Sequence, residues 1–384
     1  MKKLFPLIAV VAALLFITSC NKDDDTEAWI RGANCLIRTT DGNMMSAGFT
    51  LSSGMGFQGL LTKTDTDGNI LWSYSYGTAN SDGFFSVANT SDGGYVATGY
   101  TYSSNDPGSP RLILVRADAS GNQEWLTILE DYAVSQGISV VPAIDSGFVV
   151  CGYMRESSSS DRNILLAKFS PEGKKVWARS YGGKNTSINN YDEAYDLIAA
   201  GNGYYITGSI DGYSNCCGNA FLMRTDASGD TLWNKTYSGT LGYSIEKTSD
   251  NGFIIGGSYS SDTDLDFYLL KTNSEGTLIW EKQYPRGGYD YGTAVIPSAD
   301  GGFALAGNTN VDGNLQISLL KVDANGQNIW KKTYGGDNVE YGYGLIQNND
   351  GSYNLAGLSN TGGSFVYLNK TTADGTLIWE KKLK

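Results

Sequence analysis

From residue 30 to the end, apolar and polar positions alternate over short runs interrupted by Gly, Asp and Asn, and no segment repeats its apolar residues at helical spacing. Such alternation predicts strands with one buried face, joined by tight turns. The clearest stretch runs Gly301-Gly302-Phe303-Ala304-Leu305-Ala306-Gly307, then Leu319-Leu320-Lys321-Val322-Asp323, then Gly326 and Ile329-Trp330-Lys331-Lys332-Thr333-Tyr334-Gly335-Gly336. With the strand expected at 292–298 before it, this makes four strands in succession.

The four-strand unit is written seven times. Trp72, Trp125, Trp177, Trp233, Trp280, Trp330 and Trp379 hold the same place in each copy, at intervals of 53, 52, 56, 47, 50 and 49 residues. A repeat of roughly 40 to 50 residues made only of short strands predicts propeller blades. The expected fold is all-β: one domain over residues 30–384, a seven-bladed β-propeller of four-stranded antiparallel blades. Copy one begins with an inner strand and copy seven ends with an outer one, so closure without strand exchange is expected.

The first strands are expected at 35–39, 84–90, 137–143, 194–200, 242–248, 292–298 and 342–348. Turns such as Asp41-Gly42, Asp92-Gly93 and Asp300-Gly301, which need positive φ, follow them. Each second strand carries a late glycine (Gly48, Gly99, Gly152, Gly208, Gly257, Gly307, Gly357), read as room for a tryptophan ring. Each third strand ends in a basic residue (Lys63, Arg116, Lys168, Arg224, Lys271, Lys321, Lys370). Because it recurs in every copy, it is read as a partner for a turn and not as an anion site. Asp65, Asp118, Asp226 and Asp323, each with glycine three positions on, suit type I turns with that glycine left-handed. Asp65-Thr66-Asp67-Gly68-Asn69 has the outline of a calcium loop but too few oxygen ligands, and is assigned to turn chemistry.

Composition narrows the chemistry. With no histidine, the usual general base and metal ligand are missing, so neither a metal site nor a cofactor is expected. A formal charge of -12 argues against nucleic acid, whose binding depends on clustered Lys and Arg.

The first residues read as an address. Lys2 and Lys3 precede an apolar run from Leu4 to Ile17, then Thr18-Ser19-Cys20. This is a secretory signal, too short for a comfortable membrane span. Ile17-Thr18-Ser19-Cys20 resembles a bacterial lipobox, which implies removal of residues 1–19 and lipidation (palmitate) of Cys20. Residues 20–29 then form a tether, in which Asn21-Lys22-Asp23-Asp24-Asp25 resembles the export signal of Bacteroidota lipoproteins. That resemblance implies the outer membrane, facing the cell exterior, with the acyl anchor as the only membrane contact.

The repeat itself, as in Asp226 to Trp233, resembles the tryptophan-docking repeat of quinoprotein-like propellers and of outer-membrane assembly propeller lipoproteins. It departs from them in blade number, typically eight, and in a turn shorter by one residue. A nearer likeness, over residues 30–384, is to lipid-anchored Bacteroidota propellers with Leu-x-Lys-Thr-Asp and Leu-Trp-x-Lys-Thr-Tyr-Gly-Gly repeats. It implies a fold and is silent on activity.

Loops that vary from copy to copy share one face of a propeller, where function concentrates. Candidate ligand-binding residues on that face are Asp82, Phe84, Asp131, Tyr132, Tyr191, Asp192, Glu193, Tyr289, Asp290, Tyr291, Glu340, Tyr341 and Tyr343. Aromatic faces with acids suit a glycan or protein ligand. An acid before an inner strand also serves simply to satisfy backbone there. Cys216-Cys217 is a possible vicinal disulfide, while Cys35 and Cys151 fall on strands. The leading expectation is a monomeric, non-catalytic binding or scaffold propeller. The alternatives are a carboxylate-dependent glycosidase using Asp192, Asp290 or Glu340, and an envelope-assembly scaffold.

Overall fold

A computed structural model describes residues 31–383 apart from 53–55, 104–105, 158–160, 183–189, 214–217, 261–264, 286–289, 312, 337–338 and 361–363. The residues described form 28 strands in seven four-stranded antiparallel sheets, each in sequence order: a seven-bladed β-propeller. The blades span 31–76, 82–128, 134–181, 190–237, 240–284, 290–334 and 340–383, and among the described residues no strand is shared between the first and the seventh.

The core lies between blades, not within them. Met45, Leu61 and Tyr76 of blade 1 pack on Phe84, Tyr95 and Ile113 of blade 2, and equivalent clusters follow around the ring. Ala33, Leu36, Met44 and Leu60 of blade 1 meet Ala356, Val366, Leu368 and Leu383 of blade 7, so the ring closes by the same apolar packing.

The late glycines do not receive tryptophans, contrary to the sequence reading. Every inner strand carries one extra residue opposite that glycine: Asn34, Phe85, Ile138, Tyr195, Tyr243, Thr293 and Tyr343. The bulge brings the inner strand's backbone so close that a Cβ on Gly257 would lie 1.7 Å from the Leu241 carbonyl oxygen. Only glycine fits that approach.

The indoles dock elsewhere. The third turn of each blade holds a left-handed glycine, and the tryptophan of the preceding blade covers it. A Cβ on Gly326 would meet the Trp280 ring at 2.9 Å, and one on Gly68 would meet Trp379 at 2.7 Å, across the closing joint. In five blades the tyrosine four residues after the tryptophan donates to the same glycine's carbonyl: Tyr76 to Gly121 (2.6 Å), Tyr181 to Gly229, Tyr237 to Gly276 (2.7 Å), Tyr284 to Gly326 (2.8 Å) and Tyr334 to Gly375 (2.8 Å). Blade 2 lacks that tyrosine, and Thr127 Oγ1 donates to the Gly173 carbonyl at 2.8 Å instead.

The basic residue of the third strand is structural, as the repeat suggested. Lys63 reaches Asp41 at 2.6 Å, Lys271 reaches Asp250 at 2.7 Å and Lys321 reaches Asp300 at 2.9 Å, each in its own blade's first turn. Asp65 spends its carboxylate on the turn, accepting from the Asp67 and Asn69 amides at 2.9 and 2.8 Å and from Asn69 Nδ2 at 2.8 Å.

Candidate functional site

The inner strands start on the face that also carries the loops between second and third strands. Each blade brings aromatic rings to it. Blade 1 supplies Phe49 and Phe57, edge to face at 5.7 Å and packed with Leu358 and Tyr341 of blade 7. Blade 2 supplies Phe85, Tyr100 and Tyr102, at successive centroid distances of 5.5 and 5.3 Å. Tyr153 and Tyr191 follow, then Tyr195 with its ring 4.9 Å from Tyr243, then Tyr291, and finally Tyr341 stacked on Tyr343 at 6.2 Å. Burial pushes the phenols of Tyr195, Tyr243, Tyr291 and Tyr343 up, so they are hydrogen-bonding hydroxyls at any physiological pH.

The bulge builds this ring. Tyr195, Tyr243 and Tyr343 are the extra residues of their strands, half-buried at the centre of the array. A bulge re-aims a side chain that regular pairing would place on a blade face.

Within the ring lies one built ionic cluster. Arg162 sits just before the third strand of blade 3, and its backbone is stitched to blade 4 by a bridge to Tyr191 and by the Asp192 amide donating to its carbonyl at 3.1 Å. Its guanidinium lies 4.2 Å from the Tyr153 ring centre and 4.7 Å from that of Tyr191. Nη1 is bound to Glu193, whose other oxygen accepts from Tyr195 Oη at 2.9 Å.

Of the residues expected at the site, Tyr191, Glu193, Tyr291, Tyr341 and Tyr343 come together here. The acids do not face outward with them. Asp82, Asp192, Asp290 and Glu340 lie on the inner strands rather than on loops, and are buried. Asp82 accepts from the Thr78 amide at 2.6 Å, and burial raises its carboxyl. Asp290 binds Thr309 Oγ1 and Lys331 Nζ, the latter at 2.6 Å. Glu340 accepts from Ser359 at 3.2 Å. These are strand-start pins. Phe84 is in the core between blades 1 and 2, Tyr132 packs on the core between blades 2 and 3, and Asp131 pairs with Lys175 at 2.7 Å beside an outer strand. Tyr289, Cys216, Cys217 and Cys20 lie outside the described residues.

Deeper along the inner strands is a pair of acids that the sequence reading missed. Asp196 stands where the other copies have Cys35, Ser86, Ser139, Ser244, Ala294 and Gly344. At that place Ser86 accepts from the Val140 amide and Ser244 from the Val295 amide of the next blade, each at 3.3 Å. Asp196 does the same for Ile245 at 3.0 Å, and also takes the Ser139 hydroxyl at 2.9 Å. Burial pushes Asp196 up to about 6; burial, with the Asp196 charge adding to it, pushes Glu246 up to about 7. Aligning the seven copies would have shown an acid in a column of small residues.

No protein-family model matches the chain, and no curated protein does. Solved structures with a similar fold include an ulvan lyase of polysaccharide lyase family 25, bound to -[GlcA(1-4)Rha3S]- (TM-score 0.62, 9% identity, covering 93% of this chain and 98% of that one). They also include the periplasmic gluconolactonase of Pseudomonas aeruginosa (0.52, 14%, 89% and 96%). A third is Sqt1 of Chaetomium thermophilum bound to the N-terminus of ribosomal protein L10 (0.52, 12%, 94% and 91%). At these identities the likeness is one of fold alone, a propeller that carries several unrelated activities.

Proposed function

We propose that the protein is a lipid-anchored outer-membrane propeller that binds a glycan or a protein segment, without catalysis, on its tyrosine-lined face. The ring of aromatic residues drawn from all seven blades carries this reading. Tyrosine offers a broad apolar face and a polar tip at little conformational cost, which suits a hydrated, ring-rich or extended ligand. A glycosidase needs two acids flanking a cleft. Asp290 and Glu340 are instead buried beside Lys331 and Ser359, which supports binding over hydrolysis. The lipobox-like Ile17-Thr18-Ser19-Cys20 and the acidic tether support anchoring at the cell exterior.

Glycan and protein arrays probed with the full chain test the proposal. Changing Tyr291 and Tyr341 together to Ala is expected to weaken any hit at least tenfold, at a temperature where circular dichroism shows the changed chain still folded. Hits that survive the double change intact would sink the assignment of this face.

A further inference from the structure

Resting on the lipid anchor of that proposal, we infer that the rim where blade 7 meets blade 1 is a lipid-contacting surface, on which the propeller stands edge-on against the membrane that holds its acyl chain. Ile70 and Leu71 begin the outer strand of blade 1, and Leu377 and Ile378 that of blade 7; they are 42%, 52%, 42% and 52% exposed. Tyr74, on the same strand as Ile70, is 48% exposed. The two strands share one stretch of rim, because Trp379 covers Gly68 and Lys381 Nζ donates to Asn69 Oδ1 at 2.7 Å, in the turn that leads into Ile70. The seven copies show that the fold does not ask for these aliphatic residues. The two places before the tryptophan read Gln123-Glu124 in blade 2, Lys175-Val176 in blade 3, Thr231-Leu232 in blade 4 and Asn328-Ile329 in blade 6. An aliphatic pair stands there in blades 1, 5 and 7, of which only 7 and 1 are neighbours. A single exposed aliphatic residue needs no explanation, whereas adjoining ones mark a surface that meets something apolar.

The anchor chooses the occupant. Cys20 lies eleven residues before Arg31, which opens the inner strand of blade 1 on the tyrosine face, so the chain between them spans at most about 40 Å. From that strand to the outer edge of its own blade is about 14 Å, three strand spacings, and the seven-residue outer strands make the rim about 23 Å deep. A bilayer under the face opposite the tyrosines would need the tether drawn taut across the blade and down its side, whereas one beside blades 7 and 1 leaves slack. A bilayer against the tyrosine face would cover the ligand ring and leave both aliphatic pairs, which start their strands at the opposite face, in water. Charge does not drive the contact: Lys381 and Lys382 are offset by Asp65, Asp67 and Asp374 of the turns alongside. The attraction is that of Ile, Leu and Tyr side chains entering the headgroup boundary. Standing edge-on leaves the tyrosine face open to ligands beside the membrane.

The test places the lipidated chain in phosphatidylcholine vesicles that carry a diazirine phosphatidylcholine, and maps the residues labelled on illumination. Label is expected on Ile70, Leu71, Tyr74, Leu377 and Ile378, and to persist at high salt. Ile70→Gln, Leu71→Glu, Leu377→Gln and Ile378→Glu together copy the pair that blade 2 already carries, and are expected to lower labelling of the unchanged Tyr74 at least tenfold. Leu278→Gln with Ile279→Glu removes the same apolar groups from blade 5 and is expected to leave Tyr74 labelling as it was. Label spread evenly around the rim, concentrated on the tyrosine face, or lost in salt overturns the inference, and the unchanged chain alone decides this should the fourfold variant fail to fold. So does light scattering that shows a dimer which the fourfold change dissociates, since a second copy would then cover the patch. If Cys20 takes up palmitate and this rim stays unlabelled, the anchor stands and only the inference falls. If Cys20 takes up none, both fall.

Discussion

The joint between blades can be weighed by two glycines of blade 6 that share a backbone conformation but not a neighbour. Gly301 (φ +85°) has nothing within 4 Å of where a Cβ would stand, whereas Gly326 (φ +73°) has the Trp280 ring at 2.9 Å. Gly301→Ala should therefore cost only the left-handed strain, about 1–2 kcal/mol. Gly326→Ala carries that strain and also lifts the indole. A half-buried tryptophan covers roughly 100 Å² of apolar surface, worth about 2.5 kcal/mol at 25 cal/mol/Å². The Tyr284 hydrogen bond to the Gly326 carbonyl, about 1 kcal/mol, is loosened with it. Urea unfolding should thus place Gly326→Ala about 2–3 kcal/mol below Gly301→Ala. In a Trp280→Ala background the gap should close, giving a coupling energy of about 2 kcal/mol. Equal costs for the two glycines, or strict additivity with Trp280→Ala, would refute indole docking as the source of cohesion between blades.

Three further outcomes are expected. Asp196 and Glu246 have raised folded-state pKa values, about 6 and 7 against ordinary values of 3.8 and 4.5, so the folded chain keeps protons there that the unfolded chain gives up. Their contribution is complete below about pH 4 and is lost as pH rises through 6 to 7. Chemical denaturation should show stability falling by on the order of 3 kcal/mol across that window, and Asp196→Asn should flatten the curve. Asp290→Ala leaves Lys331 buried without its carboxylate and should cost about 3–5 kcal/mol in urea unfolding; a loss under 1 kcal/mol would return Asp290 to the list of ligand-binding residues. In cells, Cys20→Ser should abolish incorporation of labelled palmitate and release the protein from the outer-membrane fraction, and retention there would remove the anchor from the proposal.

Much of the architecture was readable because each blade repeats the same local chemistry. The tryptophan interval, the Asp-Gly turns and the basic residue of the third strand each name a contact that the structure contains. The late glycines were misread because a close approach in sequence does not say what approaches, and a one-residue bulge leaves no mark in the apolar pattern. The same bulge hid Tyr195 and Tyr243 as members of the ring. Asp82, Asp290 and Glu340 were placed on loops because polar residues before a strand look exposed, whereas the inner strands begin earlier and bury them. Arg162 and Asp196 depend on neighbours from other blades, which no single copy displays.

Because Trp379 rests on Gly68 as Trp280 rests on Gly326, the joint between the seventh module and the first is chemically one more joint of the same kind. The array has no privileged starting point. New termini cut between any two neighbouring modules, with the native ends spliced, would forfeit a peptide link and leave all seven clasps in place.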